Sequence, residues 1–142
     1  GLVQTSLNLG VAKLDDTFNL TCSVRSSVNA EKNDLLSVLE ELASKYQGVC
    51  TISGDYPAWE FKQESYLRDT MVQVYTNMFK KQPEVVSIHA GLECGIFSRK
   101  IPGLDCISIG PDMADIHTSR EKLNIASTER VWNFLCEVLK KL

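Results

Sequence analysis

The 142-residue sequence lacks several features that would assign it to a class at once. It has no apolar run near the roughly 18 to 20 residues that span a bilayer. Its opening GLVQTSLNLG has no basic stretch followed by an apolar one, so it does not resemble a signal peptide. It also lacks an excess of basic residues, since the net charge is −3 and the pI about 5.4. Nucleic acids and anionic membranes attract basic faces, so the composition argues against both as main partners.

Cysteine is present in a pattern that excludes two common uses. The number is odd, and no two cysteines form a C-x-x-C pair, which argues against a disulfide framework and a zinc finger. Most lie among apolar residues, as reduced thiols of a cytoplasmic protein do. The five are Cys22, Cys50, Cys94, Cys106 and Cys136. With 44% hydrophobic and 23% charged residues, the chain has the composition of an ordinary soluble globular protein.

The first part of the chain predicts two strands, a helix and a further strand. Residues 4–14 and 17–25 alternate apolar and polar side chains and are joined by Asp15 and Asp16, which predicts a hairpin. The segment 26–34 supplies capping residues for a helix that Gly48 ends. Its predicted apolar stripe consists of Leu35, Leu39, Leu42, Ala43 and Tyr46. VCTISG then predicts a short strand.

The pattern changes between residues 57 and 63, where we place a domain boundary. Beyond it, a helical stripe ends before Pro83, and EVVSI (84–88) and LDCISI (104–109) are short apolar runs typical of buried, often parallel strands. A short helix separates them, the spacing of Thr118 and Glu121 predicts a capping box and a helical turn, and a last helix closes the chain. The predicted fold class is α/β, with a β-β-α-β unit followed by an α/β piece. Two parallel strands are too few to close a core, which indicates part of a larger protein or a domain that dimerises.

Both histidines follow predicted buried strands. His89 comes directly after EVVSI, and His117 lies in the loop after LDCISIG. Ligands of open parallel sheets bind beyond the carboxyl ends of the strands, and carboxylates lie in the same loops. Imidazoles and carboxylates are zinc ligands, so the pattern is compatible with half of a zinc site. The alternatives are a loop histidine that helps to cap the next helix at position 117 and a strand-end histidine bonded to backbone at position 89.

Other candidates also have a plain structural alternative. Glu93 is either a carboxylate of the site or a favourable acid in the first turn of a helix. Gly91 permits either close approach of a substrate or a tight turn. Arg25, last on the polar face of its strand, is either a bidentate ligand for a substrate carboxylate or a solvated strand end. Cys94 as a nucleophile lacks an identifiable histidine partner.

Several segments together resemble the C-terminal end of the aminoacyl-histidine dipeptidases. They are VSIHAGLECGIF, DCISIGPDMADIHTSREKLNIAST and the closing helix with Trp132, and the upstream TSLNLGVAKL and FNLTCSVRSSV resemble the second half of the lid domain of that family. These are cytosolic Xaa-His dipeptidases with two zinc ions, related to aminoacylases and glutamate carboxypeptidases. The resemblance covers essentially the whole chain.

The resemblance implies a domain assignment and a role for each candidate. Residues 1–60 correspond to the second half of a lid and dimerisation domain, and residues 61–142 to the C-terminal part of the catalytic domain. His117 matches the last metal ligand, for Zn²⁺ or alternatively Co²⁺ or Mn²⁺. Gly91, Glu93 and His89 belong to the segment that lines the substrate pocket, and Arg25 best matches the lid arginine that holds the substrate carboxylate. The implied partners are a dipeptide, the N-terminal part of the enzyme and a second copy.

The sequence departs from the family in lacking the N-terminal H-x-D motif, the adjacent glutamate pair and a further aspartate. The paired glutamates of LEEL (39–42) lie on the lid-like helix and are typical of a solvated face. Two bridged metal ions would polarise the peptide carbonyl and activate a water in the intact enzyme, and we expect no peptidase activity from this chain alone. The alternative functions are a non-catalytic α+β dimerisation or interaction module and a small redox or cysteine-dependent protein that uses Cys94.

Overall fold

Helices and short antiparallel sheets form the part of the chain that the computed structural model describes, residues 3–88 and 93–142. In chain order the elements are β1 (Thr5–Leu14), β2 (Phe18–Ser26), α1 (Asn29–Lys45), α2 (Tyr66–Phe79), α3 (Glu93–Lys100), β3 (Met113–Ala114), β4 (Lys122–Leu123) and α4 (Ile125–Leu139). This mixture confirms the predicted α/β class. The chain divides into two compact units, residues 1–61 with 86–102 and residues 62–85 with 103–142.

In the first unit, β1 and β2 form the predicted antiparallel hairpin. The pairing places Leu7 opposite Val24 and Leu9 opposite Cys22, and a bulge between Leu9 and Val11 then shifts the register. Because neighbouring strand residues point to opposite faces, the extra residue at this bulge keeps the apolar side chains beyond it on the same face as those before it. Without the bulge the apolar pattern of β1 would change faces halfway along the strand.

Helix α1 packs against β2 and ends in the glycine-containing turn that the sequence predicts. The Gly48 N–H donates to the Ala43 carbonyl at 2.8 Å and the Gln47 N–H donates to the Ser44 carbonyl at 3.0 Å. These two bonds form a Schellman motif, in which Gln47 (φ 58°) takes the left-handed conformation in place of Gly48. The predicted apolar stripe is partly wrong, since Leu42 and Tyr46 are exposed.

The start of α1 also differs from the prediction. Its N-cap residue is Val28, whose side chain cannot accept a hydrogen bond. The N–H of its first residue is satisfied from outside the helix, because the Asn29 N–H donates to Glu60 Oε1 at 3.2 Å. The same Asn29 also accepts from the Ala58 N–H through Oδ1 at 2.9 Å. A long-range partner therefore replaces the local cap that the sequence predicted.

The second unit has its core between α2 and α4. Met71 and Val74 of α2 are buried against Phe134 and Val138 of α4, and Ile107 packs against the same cluster. An aromatic cluster extends this contact, with the ring of Tyr75 edge-on to Phe134 at a centroid distance of 5.6 Å. Edge-to-face pairs at this separation stabilise a core beyond the area that they bury.

The segments 49–54, 84–88 and 104–109 were predicted as strands, and within the described residues none of them belongs to a hydrogen-bonded ladder. An apolar run becomes a strand only when a neighbour accepts and donates its backbone hydrogen bonds. The predicted parallel pairing of 84–88 with 104–109 is therefore wrong, since the described residues of the two segments form no ladder. The helix predicted after residue 89 is present as α3.

Candidate functional site

His117 lies in the turn of a short hairpin that the sequence did not predict. Met113 pairs with Leu123 and Ala114 with Lys122, which brings β3 and β4 together and leaves residues 115–121 as the connection. The predicted helical turn at Thr118 is wrong, because these residues form turns between two strands. Thr118 and Glu121 both make side-chain hydrogen bonds in this turn, but not the pair of bonds that defines a capping box.

Hydrogen bonds within this turn hold the backbone of His117. Its N–H donates to Glu121 Oε2 at 2.8 Å, and Thr118 Oγ1 donates to the Asp115 carbonyl at 2.7 Å. In a capping box the glutamate would accept from the N–H of the threonine itself. Here it accepts one residue earlier, so the carboxylate fixes the histidine backbone in place of a helix start.

Two residues of the turn have left-handed backbone conformations. Asp115 has φ 53° and His117 has φ 64°. Aspartate and histidine are among the few residues other than glycine that are enriched in this region, and a residue held there costs on the order of 1–3 kcal/mol. The surrounding hydrogen bonds offset that cost.

The hairpin is attached to the first turn of α4. Asn124, the N-cap residue, accepts from the Ser127 N–H through Oδ1 at 3.0 Å. Ser127 is buried, and its Oγ accepts from the Asp112 N–H at 2.8 Å while donating to the Asn124 carbonyl at 2.7 Å. Arg130 adds an ion pair to Asp112 at 3.0 Å. Both ends of the hairpin are thus fixed to one helix start, which positions the turn that carries His117.

This support is not apparent from the sequence. The spacing of Asn124 and Ser127 is a recognisable N-cap pattern, but it gave no indication that the serine would also accept from Asp112. That contact depends on the antiparallel return of β4, which spacing alone does not reveal. Glu121 was predicted to accept a capping-box bond near Thr118, and in the structure it accepts from the His117 N–H instead.

Glu93 and Arg25 lie on the first unit, and both are exposed. Glu93 is the first residue of α3, where a carboxylate is favoured by the helix dipole. Arg25 lies on β2 opposite Ser6, on the polar face of the hairpin. His89 and Gly91 lie outside the described residues.

Gly95 of α3 lies where two segments of the first unit approach each other closely. A Cβ atom at this position would lie 2.6 Å from the carbonyl oxygen of Pro57. Only glycine fits there, because α3 packs directly on the backbone of residues 57 and 58. The glycine therefore serves packing within the first unit.

The donors of a metal site are incomplete in the described part of the chain. Residues 3–88 and 93–142 contain no cluster of three or more His, Cys, Asp or Glu side chains able to hold a metal ion. Structural and catalytic zinc sites use three or four protein ligands. His117 is an exposed imidazole of the right chemistry, but it is one donor only.

Two carboxylates have pKa values lowered by their surroundings. Burial opposes ionisation of Asp105, but hydrogen bonds from the Leu67 N–H at 3.0 Å and from Ser65 Oγ at 2.7 Å, with the nearby charges of Lys62 and Arg68, outweigh it and lower its pKa. A hydrogen bond from Lys32 lowers the pKa of Asp55. Asp105 acts as a second cap for α2, beside the N-cap Ser65, so it stabilises the second unit.

Among the described residues, no helix is both long and apolar enough to cross a membrane. No known protein-family profile matches the chain.

The chain is similar to a dipeptidase over its whole length. It is 34% identical over 143 residues to the cytosol non-specific dipeptidase of Escherichia coli (strain K12), an alignment that covers 100% of this chain and 30% of that protein. It is also similar to the crystal structure of aminoacylhistidine dipeptidase from Vibrio alginolyticus, with a TM-score of 0.87, 29% identity and coverage of 100% of this chain and 29% of the other. The chain therefore spans about 30% of the length of these relatives and is homologous to their C-terminal portion, which confirms the resemblance.

Proposed function

We propose that this chain is the C-terminal portion of a metal-dependent cytoplasmic dipeptidase that hydrolyses Xaa-His dipeptides. The observation that carries the proposal is the match over the full chain, at 34% identity in sequence and a TM-score of 0.87 in structure. Both relatives are dipeptidases by name, and one is named for aminoacylhistidine substrates. Residues 1–60 would then belong to a lid domain and residues 61–142 to the catalytic domain.

His117 is the proposed metal ligand of this portion. Its imidazole is exposed, and the backbone beneath it is held by Glu121 and by the attachment of the hairpin to α4. An exposed imidazole on a backbone held by hydrogen bonds suits a metal ion that is also bound by groups on another part of the polypeptide. The metal is Zn²⁺ in our proposal, with Co²⁺ or Mn²⁺ as alternatives, and two such ions would polarise the peptide carbonyl and activate a water.

Because the described residues supply one donor, the remaining ligands and the general base must come from the N-terminal remainder of the enzyme. The contribution of this chain is to position one imidazole and to bind the substrate. The 142 residues alone are expected to be inactive and to bind zinc weakly.

Substrate binding is assigned to four residues, of which Arg25 and Glu93 lie in the first unit. Arg25 is exposed on the polar face of the hairpin, where a guanidinium can bind a carboxylate through two hydrogen bonds. Glu93 is an exposed carboxylate at the start of α3 and suits a charged or donor group of the dipeptide. His89 and Gly91, just before it in the sequence, complete the assignment.

A homodimer is the second part of the proposal, and the hairpin favours it. The paired side chains Leu9, Leu14, Phe18 and Leu20 lie on one face of the β1–β2 sheet and are all exposed. An exposed apolar sheet face of this kind is typical of an interface. As an alternative function, the same face would serve a non-catalytic dimerisation module. Sedimentation of a Leu20→Asp variant against the parent protein tests the dimer.

The decisive experiment measures hydrolysis of Xaa-His dipeptides by the intact native polypeptide, before and after chelation. We expect activity that chelation abolishes and Zn²⁺ restores. Arg25→Ala should raise KM by about 10- to 100-fold with little change in kcat, as expected for the loss of a charge-assisted bidentate contact. Lys13→Ala is the matched control, because it removes one exposed positive charge from the same face of the hairpin. Failure to cleave any dipeptide would refute the function, and an unaltered KM would remove Arg25 from the site.

A further inference from the structure

His117 occupies the third position of a β-turn, where its backbone conformation favours other residues. The Thr118 N–H donates to the Asp115 carbonyl at 3.2 Å, which closes a four-residue turn with Ile116 and His117 at its centre. His117 has φ 64° there. Turns with a positive φ at the third residue favour glycine or asparagine, because a Cβ atom makes this conformation costly. A histidine at this position therefore depends on its surroundings to hold it.

A second turn follows directly and carries the group that bonds to His117. The Glu121 N–H donates to the Thr118 carbonyl at 3.2 Å and closes this turn. The side chain of Glu121 returns across both turns, and its Oε2 accepts from the His117 N–H at 2.8 Å. Thr118 supports the same arrangement, since its Oγ1 donates to the Asp115 carbonyl at 2.7 Å and accepts from the Arg120 N–H at 3.1 Å.

The bond between His117 and Glu121 is coupled to the left-handed conformation of the histidine. Glu121 follows His117 in the chain, so a return of φ to the ordinary negative range would swing the later residues, and the carboxylate with them, away from this N–H. The ends of the loop are held apart from this choice, because Ala114 pairs with Lys122. The bond and the left-handed backbone of His117 therefore stabilise each other within the loop.

The direction of the imidazole follows from this backbone conformation, because φ sets where the Cα–Cβ bond points relative to the hairpin. A side chain binds a metal ion only from the competent conformation, and the apparent affinity falls in proportion to the fraction of molecules that have it. Groups that hold a ligand without touching the metal typically change metal affinity by about 10- to 100-fold when they are removed. Loss of the Glu121 bond should have an effect of this kind.

We propose that Glu121 is a positioning residue of the metal site, which holds the backbone of His117 in its ligand conformation before the metal binds. The proposal rests on the proposed function, because it takes His117 as a ligand, and it adds what presents that ligand. The acceptor oxygen carries the effect, so Glu121→Gln should preserve it. A direct attraction between the carboxylate charge and the ion would instead be lost in that variant.

The first test measures the Zn²⁺ affinity of the intact native polypeptide by competition with a chromophoric chelator. We expect Glu121→Ala to weaken binding by about 10-fold or more and Glu121→Gln to stay within about threefold of the parent protein. Glu129→Ala is the matched control and should leave the affinity unchanged. It removes an exposed carboxylate of the same unit that has no polar partner among the described residues. Unchanged affinity in Glu121→Ala, or an equal loss in Glu121→Gln or Glu129→Ala, would overturn the proposal.

Hydrogen exchange on the zinc-free polypeptide gives a readout that needs no substitution. After correction for intrinsic rates, the His117 amide should exchange about 10-fold or more slowly than the amides of Ile116 and Ser119, whose N–H groups have no acceptor in the described part of the chain. This protection should be lost in Glu121→Ala and kept in Glu121→Gln. An unprotected His117 amide in the parent protein would mean that the bond does not precede the metal, and would overturn the proposal.

Two further measurements separate this inference from the proposed function. If His117→Asn weakens zinc binding and Glu121→Ala does not, this inference alone is refuted. If zinc affinity depends on Glu121 but the polypeptide cleaves no dipeptide, the proposed function alone is refuted. If His117→Asn leaves zinc binding unchanged, both are refuted.

Discussion

Replacing Gly95 by alanine has two opposing effects on the free energy of unfolding, a gain in helix propensity and a steric clash. The surroundings of Gly95 in the structure show which of them is larger. Gly95 lies within α3, where alanine gains up to about 1 kcal/mol in helix propensity over glycine. The new Cβ would, however, lie 2.6 Å from the Pro57 carbonyl oxygen, and forcing atoms into a packed site costs about 1–3 kcal/mol.

The carbonyl cannot move away easily, because its neighbours are bonded to α1. Ala58 donates its N–H to Asn29 Oδ1 at 2.9 Å, and the Tyr56 carbonyl accepts from Lys32 Nζ at 2.7 Å. The clash should therefore exceed the gain in propensity, and we expect Gly95→Ala to lower the free energy of unfolding by about 1–2 kcal/mol.

Gly110→Ala is the matched control, since a Cβ there meets nothing within 4 Å. We expect it to be neutral or to stabilise by up to about 1 kcal/mol through the unfolded state. Urea unfolding of the intact native polypeptide, followed by circular dichroism, measures both changes as shifts in midpoint. If Gly95→Ala stabilised as much as Gly110→Ala, the contact between α3 and Pro57 would be refuted.

Further predictions concern the support of the hairpin and of α2. Ser127→Ala should cost about 1–2 kcal/mol, since it removes two hydrogen bonds from a buried site and leaves the Asp112 N–H without its acceptor. Thr128→Ala, which loses one exposed bond of 3.3 Å, should change stability by less than about 0.5 kcal/mol; equal effects of the two would contradict the anchoring. Asp105 has a lowered pKa, so its contribution is present above the ordinary aspartate pKa of 3.8 and is lost as pH falls through the folded value. The destabilisation by Asp105→Asn should therefore be largest at neutral pH and shrink below pH 3.8 in urea titrations. A difference that stayed constant across this range would show that the charge has no role.

The alternation of side chains was enough to predict the hairpin, but not its bulge. The apolar pattern of β1 is interrupted at Gly10 and Val11, and only the pairing with β2 shows that the extra residue keeps Ala12 and Leu14 on the apolar face. The helices α2 and α4 were predicted because their apolar spacing is helical. Their N-caps, Ser65 and Asn124, are seen in the structure and were not part of the prediction.

The features that sequence reasoning missed depend on partners distant along the chain. LDCISI has the composition of a buried strand, yet a strand exists only with neighbours, and the described residues provide none. The turn at His117 was predicted as a helix start because Thr118 and Glu121 have capping-box spacing. The turn takes its form from the pairing of β3 with β4. Strands of two residues are too short to show an alternating pattern in the sequence, so this pairing could not be predicted.

The central claim, that His117 is a ligand of a shared metal site, is tested most directly by metal stoichiometry. His117→Asn keeps a residue that tolerates the left-handed backbone. Arg120→Ala is the control in the same turn, because Arg120 bonds to the described residues through its backbone N–H alone. Measured by atomic emission on the intact native polypeptide, Zn²⁺ content should fall by about one ion per chain, or its affinity by 10-fold or more, in His117→Asn, and should be unchanged in Arg120→Ala. Equal zinc content and affinity in His117→Asn and the parent protein would contradict the account.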